Sequence, residues 1–195
     1  MVPVPPASAH YASPEVVRYL RSCLRTVVDF PKPSIRFKDI TPLLADPVAL
    51  QLTLDLLAQP YLGANIDAVA AIEARGFVFG AALAARLKCG MLMVRKAGKL
   101  PAEVDEVSYS LEYGDNVLQL HKGAVRPGAR VLVVDDLLAT GGTAAATVAL
   151  IRKQQGRIAG FAFVCELTFL GGRDKLAALC DDTTILSLIP IAAGE

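Results

Sequence analysis

Four apolar runs built from small and branched residues punctuate the chain: DAVAAIE at 67–73, MLMVRK at 91–96, RVLVVDD at 130–136 and IAGFAFVCELT at 158–168. All four read as strands; the first, and VLVV within the third, lack the apolar–polar alternation of a strand with one wet face and so predict burial on both sides. Stretches with apolar residues at helical spacing lie between them: PVALQLTLDLL from Pro47, GFVFGAALAARLKC from Gly76, and TAAATVALIRKQQ from Thr143, the last ended by Gly156 in a left-handed cap. Strands alternating with helices of this length predict an α/β fold with a central, mostly parallel sheet flanked by helices. The segment 97–129 breaks the rhythm with a glycine-proline loop and two alternating, hairpin-like strands. GGRDKLAALC and TILSLIP then close the chain as a short helix and a last strand.

The first 45 residues read differently. Ser13, Pro14 and Glu15 supply a capping hydroxyl, a proline for the first helical position and an acid for the first turn, so a helix is predicted through VVRYLRSCLRTVV. DFPKPSIRFKDITPLLADP, with three prolines before Asp46, reads as a surface loop holding a short extended piece around SIRFKDI. Residues 1–12 read as a flexible arm, and residues 13–195 as a single domain.

Composition narrows the classes. With 53% hydrophobic and 20% charged residues and no charge block, the chain is predicted to be globular. A net charge of +1 lacks the basic excess of a nucleic-acid binder. Cys23, Cys89, Cys165 and Cys180 form no CxxC pair, which predicts reduced thiols rather than a zinc or redox centre. The opening MVPVPPASAHYASP lacks the pattern of a signal peptide, and no apolar stretch has the ~20 residues of a membrane span. The expectation is a soluble, cytoplasmic protein without membrane or nucleic-acid partners.

The chemistry concentrates in VLVVDDLLATGGT at 131–143. A buried strand runs into a glycine loop and then a helix, the place where open parallel sheets bind ligands. Amides of Ala139, Thr140, Gly141, Gly142 and Thr143 are free to point at a phosphate, and the helix dipole favours its charge. A triphosphate loop would need a lysine after its last glycine, and a dinucleotide site would need GxGxxG; neither pattern occurs. Asp135 and Asp136 would repel a bare phosphate, so they must face something else on the same ligand. Vicinal sugar hydroxyls, or a magnesium ion bound through them, would suit. The implied ligand is a sugar phosphate.

That stretch closely resembles the phosphoribosyl-diphosphate (PRPP) motif of type I phosphoribosyltransferases. DFPKPSIRFKDITPLL, EARGFVFG, VRKAGKLP and SYSLEYG are similar, in that order, to successive motifs of the family's adenine branch. The resemblance implies transfer of phosphoribose from PRPP to N9 of adenine with Mg²⁺, giving AMP and pyrophosphate, in a homodimer. It assigns the ribose hydroxyls to Asp135 and Asp136, with Mg²⁺ held mainly through PRPP near them, and the 5′-phosphate to Ala139–Thr143. Glu73, Ala74, Arg75 and Gly76 resemble the pyrophosphate loop, in which a non-proline cis peptide joins the first two residues. Arg95, Lys96 and Lys99 would sit on a mobile loop closing over pyrophosphate, with Arg95 and Lys99 counted as catalytic beside Glu112, which exchanges the purine proton. Residues of about 29–45 would form a hood over adenine, Phe37 stacking on the base and the backbone at Arg36 and Lys38 reading its edge. Ser34 stands where relatives usually have glycine; a positive φ there would strain the hood.

Two alternatives share the fold. A PRPP- or purine-sensing regulator would be expected to lose the catalytic loop and add a basic DNA-binding segment, and a 6-oxopurine enzyme would read a different base edge.

Overall fold

The computed structural model describes residues 12–110, 115–180 and 183–195. The expected arm, apart from Ala12, and the expected proton-exchange residue Glu112 with its neighbour Tyr113 lie outside the described residues. In chain order the elements are α1 (Pro14–Ser22), β1 (Arg25–Val28), β2 (Arg36–Asp39), α2 (Thr41–Ala45), α3 (Pro47–Ala58), β3 (Ala68–Ile72), α4 (Gly76–Leu87), β4 (Gly90–Lys96), β5 (Val104–Ser110), β6 (Asp115–His121), β7 (Arg130–Leu138), α5 (Gly142–Lys153), β8 (Arg157–Leu167), α6 (Gly172–Leu179) and β9 (Ile185–Ile191).

The main sheet has the order β5-β6-β4-β3-β7-β8-β9. Its five strands from β4 to β9 run parallel, and the β5–β6 hairpin adds to β4 antiparallel. The unalternating apolar runs are explained by two cores. Val69, Leu132 and Val134 pack with Leu57, Phe79 and Leu83 on the face covered by α3 and α4. Ala70, Val131 and Val133 pack with Leu150, Ile151 and Leu176 on the face covered by α5 and α6.

Strand order places the ligand edge. From β3 the chain crosses to β4 on one side, and from β7 to β8 on the other, with α4 and α5 on opposite faces. The carboxyl ends of the adjacent strands β3 and β7 therefore splay apart around a crevice, which is where open α/β sheets take ligands.

Three local expectations are corrected. The first helix stops at Ser22, and Arg25–Val28 is a strand paired antiparallel with Arg36–Asp39. Thr26, Val27 and Val28 are β-branched, and the partner strand offers them a ladder that a helix does not. The Arg25 guanidinium meets Asp39 across the pair, with Nε 3.0 Å from Oδ2. Second, TPLLA is a helix rather than loop, its proline falling in the first turn where no intrahelical donor is lost. Third, the left-handed residue after α5 is Gln155, at φ 63°, and Gly156 has no positive φ. Gly156 is needed for space instead: a Cβ there would lie 2.6 Å from Val125 Cγ1 and 2.7 Å from Ile151 Cγ2.

Candidate active site

The loop after β7 is built to expose backbone amides. Gly141, at φ 74°, is the N-terminal residue of the α5 turn, and no side chain caps that helix. Its first-turn amides are thus available to an anion on the positive end of the helix. Gly142 packs against the Tyr109 ring, where a Cβ would touch Cδ2 at 3.4 Å, and Thr143 Oγ1 donates to the Tyr109 hydroxyl at 3.4 Å. The loop's own recess is about 60 Å³, walled by residues from Leu137 to Ala144 with Asp135 and Phe163.

Asp135 and Asp136 follow the buried run Val131–Val134 of β7. The Asp136 amide donates to Asp135 Oδ1 at 2.9 Å, and Arg75 Nε stands 2.8 Å from Asp136 Oδ2. Burial pushes the Asp135 carboxyl well above the ordinary carboxylate range, and the Asp136 charge beside it adds to the rise. Burial raises Asp136 as well, while the Arg75 guanidinium pulls it back. Two acids held so close in a dry pocket are primed to accept hydrogen bonds from a polar ligand that brings compensating charge.

Across the crevice, the turn after β3 carries Glu73, Ala74, Arg75 and Gly76, and the Glu73–Ala74 peptide is cis. Gly76 admits no side chain, since a Cβ would come within 2.9 Å of Asp135 Oδ1 and 3.0 Å of the Val134 carbonyl. The buried Glu73 carboxylate gathers two cations, Arg95 with Nε at 3.2 Å and the Lys99 ammonium, and accepts from the Lys96 backbone amide at 3.1 Å. Burial works to raise its pKa, but the hydrogen bonds from Lys99, the Lys96 amide and Arg95 together outweigh it and leave the carboxyl below its ordinary value. Arg95 and Lys96 belong to β4 rather than to a loop; only Lys99 lies beyond it, tied by its carbonyl to Arg95 Nη1 at 3.0 Å.

The segment expected to form the hood, residues 29–45, holds β2, which pairs with β1 in a two-stranded ribbon, and α2. Ser34 does adopt a positive φ, 69°, and its amide is held by Asp29 Oδ1 at 2.7 Å. Phe37 meets Phe30 edge-on, centroids 5.1 Å apart, and the Arg75 guanidinium lies over the Phe37 ring, 5.0 Å from its centroid. The side chains of Arg36 and Lys38 turn elsewhere, Arg36 Nε to the Glu195 carbonyl at 3.1 Å and Lys38 Nζ to Thr26 Oγ1 at 2.9 Å. Only their backbone remains for a ligand.

A cleft of about 400 Å³ is lined by Glu73, Ala74, Arg75, Lys96, Asp135, Asp136 and Thr143, and it adjoins the loop's recess through Asp135, Leu137 and Thr143, which wall both. Arg95 and Lys99 stand behind Glu73, and Phe37 joins the cleft only through Arg75. Leu137, at the start of the loop placed on the ligand-binding edge, also lines it, as do Tyr109, Asn116 and Leu118, which sequence reasoning did not single out. The signal for Tyr109 was present: it shares a strand face with Val107, two residues earlier, and both pack on the core beneath α5.

Residues 42–186 match the family model described as a phosphoribosyl transferase domain. The chain is 60% identical over 184 residues to an adenine phosphoribosyltransferase of Sorangium cellulosum, covering 94% of this chain and 92% of the relative. It is 55% identical to one of Acidobacterium capsulatum, covering 82% and 88%. Among solved structures it superposes on adenine phosphoribosyltransferase of Rhodothermus marinus with TM-score 0.86 at 42% identity, covering 92% of this chain and 100% of that one. The Saccharomyces cerevisiae enzyme, complexed with adenine and an imino-altritol bisphosphate, gives TM-score 0.81 at 35% identity, covering 90% and 99%.

Proposed function

The chain belongs to the phosphoribosyltransferase family, on its adenine branch, and from that premise we propose that it transfers the 5-phosphoribosyl group of PRPP to N9 of adenine in purine salvage. The observation that carries this is a pair of adjoining recesses: the Glu73–Arg75 turn and the Asp135–Asp136 pair line one, the glycine loop walls the other, and Asp135, Leu137 and Thr143 belong to both.

In this reading the amides of Ala139–Thr143 and the Thr140 and Thr143 hydroxyls take the 5′-phosphate, and Asp135 and Asp136 accept from the ribose hydroxyls. Arg75, now on Asp136, is free to turn to the pyrophosphate once those hydroxyls replace it, and the Ala74–Gly76 backbone adds donors. Arg95, Lys96 and Lys99 supply positive charge to the leaving group, the largest electrostatic need of the step. Adenine lies on Phe37, read by backbone at Arg36 and Lys38. N9 bonds to C1′ as the C1′–O bond to pyrophosphate breaks, and the purine proton passes to Glu112. Water is kept from the oxocarbenium-like sugar by the hood and the β4–β5 connection.

Mg²⁺ enters as part of the substrate. No three His, Cys, Asp or Glu side chains stand together among the described residues, and Asp136 already has a cation partner. PRPP's own oxygens are the fitting donors, with Asp135 and Asp136 facing the ion through the sugar. No helix among the described residues is long and apolar enough to cross a membrane, and we place the enzyme in the cytoplasm as a homodimer.

Titration calorimetry with MgPRPP tests the site. Asp135→Asn with Asp136→Asn is expected to weaken binding by on the order of 10²-fold or more, since donors replace acceptors at two buried positions. Unaltered affinity in the folded double variant would remove the pair from the PRPP site.

A further inference from the structure

The phosphate loop rests on a floor outside the cleft. Gly172 opens α6, and a Cβ there would stand 2.2 Å from the Ala139 carbonyl oxygen and 3.0 Å from the Gly141 nitrogen. A Cβ on Gly141 would in turn meet the Gly172 carbonyl at 2.9 Å. The two backbones are in direct contact, so a shift of the α6 start is transmitted to the loop without a side chain to absorb it.

The next residue fixes that start. Arg173 Nε donates to Glu166 Oε1 at 3.0 Å, Nη1 to the Ile185 carbonyl at 2.8 Å and Nη2 to Ser187 Oγ at 2.9 Å. Nη2 and the Ser187 hydroxyl also share Glu166 Oε2. Glu166 is buried, and its place in β8 is opposite Leu138, the residue from which the loop departs. A planar fork on a buried carboxylate permits essentially one geometry. An apolar pair of similar volume would often serve stability as well or better. What the ion pair adds is direction.

We propose that Glu166 and Arg173 are positioning residues for the 5′-phosphate loop, setting through Gly172 where the amides of Ala139–Thr143 stand. The proposal rests on reading that loop as the phosphate site of PRPP. Its signature is selective: the grip on PRPP changes, while the base site on the hood is untouched.

Steady-state kinetics, with MgPRPP and adenine varied in turn, test it alongside thermal melting. Arg173→Met keeps the aliphatic stem and removes the fork, and Glu166→Gln with Arg173→Met leaves no buried charge unpaired should the single variant fold poorly. Thr143→Ala, in the loop itself, checks the underlying reading. The KM for PRPP is expected to rise on the order of 10-fold in the folded clamp variants, the adenine KM to stay within about twofold, and Arg173→Lys to recover part of the loss. A raised PRPP KM in Thr143→Ala but not in the clamp variants overturns the proposal and leaves the loop standing. No change in any of them sinks the loop reading, and the proposal with it. Equal rises in both KM values with a lowered melting temperature reduce the pair to ordinary support.

Discussion

Arg75 makes two contacts at once, its Nε on Asp136 and its guanidinium carbon 5.0 Å from the centre of the Phe37 ring. In the proposed reading that double contact links the sugar end of the cleft to the hood through one side chain. The acids it meets are costly to the empty protein. Because burial raises the Asp135 pKa above the ordinary 3.8, the folded chain holds its proton to higher pH than the unfolded chain does. Stability therefore falls as pH rises from about 3.8 through the raised value. Asp135→Asn removes that cost, so the unliganded variant is expected to melt higher than the parent at pH 7, each ~1 kcal/mol recovered appearing as about 2–4 °C. The gap should close near pH 4, where the parent is protonated too. Melting curves across pH check this, and a variant less stable than the parent at pH 7 would mean the carboxylate is satisfied in the empty site. The aspartates themselves were legible in the sequence, since two acids beside a phosphate-sized loop need hydroxyls or a cation. Their partner Arg75 was legible only through family resemblance, because its salt bridge spans two strands far apart in the chain.

Among the elements, those with a strong period were readable and those set by tertiary pairing were not. Buried strands such as β3 and β7 announce themselves by unbroken apolar runs, and α4 and α5 by helical spacing. RTVV could not be separated from the preceding helix, because its strand exists only through pairing with Arg36–Asp39. Arg95 and Lys96 belonged both to the predicted strand MLMVRK and to the loop that the resemblance implied, and their pairing with Gln119 and Leu118 of β6 keeps them on the strand. The end of α5 shows how a glycine can mislead: the left-handed residue is Gln155, and Gly156 is there for space. Two substitutions separate those roles. Gln155→Gly relieves a left-handed side chain and is expected to stabilise the fold by up to about 1 kcal/mol. Gly156→Ala forces a methyl group into Val125 and Ile151 and is expected to cost about 1–3 kcal/mol. Denaturant unfolding reads both, and the opposite ranking would restore Gly156 as the conformational cap.

For the molecule as a whole, sheet order makes the site. With β3 and β7 adjacent and their helices on opposite faces, the pyrophosphate turn and the phosphate loop face each other although some sixty residues separate them, and the hairpin brings Tyr109 to the same cleft. Alternating strands and helices predicted a parallel sheet, but not which strands would be neighbours, and that is why Tyr109, Asn116 and Leu118 escaped notice. The β1–β2 ribbon forms a separate sheet beside this cleft, and in the proposed reading its backbone at Arg36 and Lys38 decides the base. Adenine offers an amino donor at its 6-position where hypoxanthine and guanine offer an acceptor, and fixed backbone groups cannot exchange roles. Each unpaired buried group costs about 1–3 kcal/mol, so two mismatches give discrimination on the order of 10³-fold. The most direct test is kcat/KM for adenine, hypoxanthine, guanine and xanthine with MgPRPP. The account predicts AMP formation from adenine with the other bases lower by about that factor; equal turnover of adenine and hypoxanthine, or none of adenine, would contradict it.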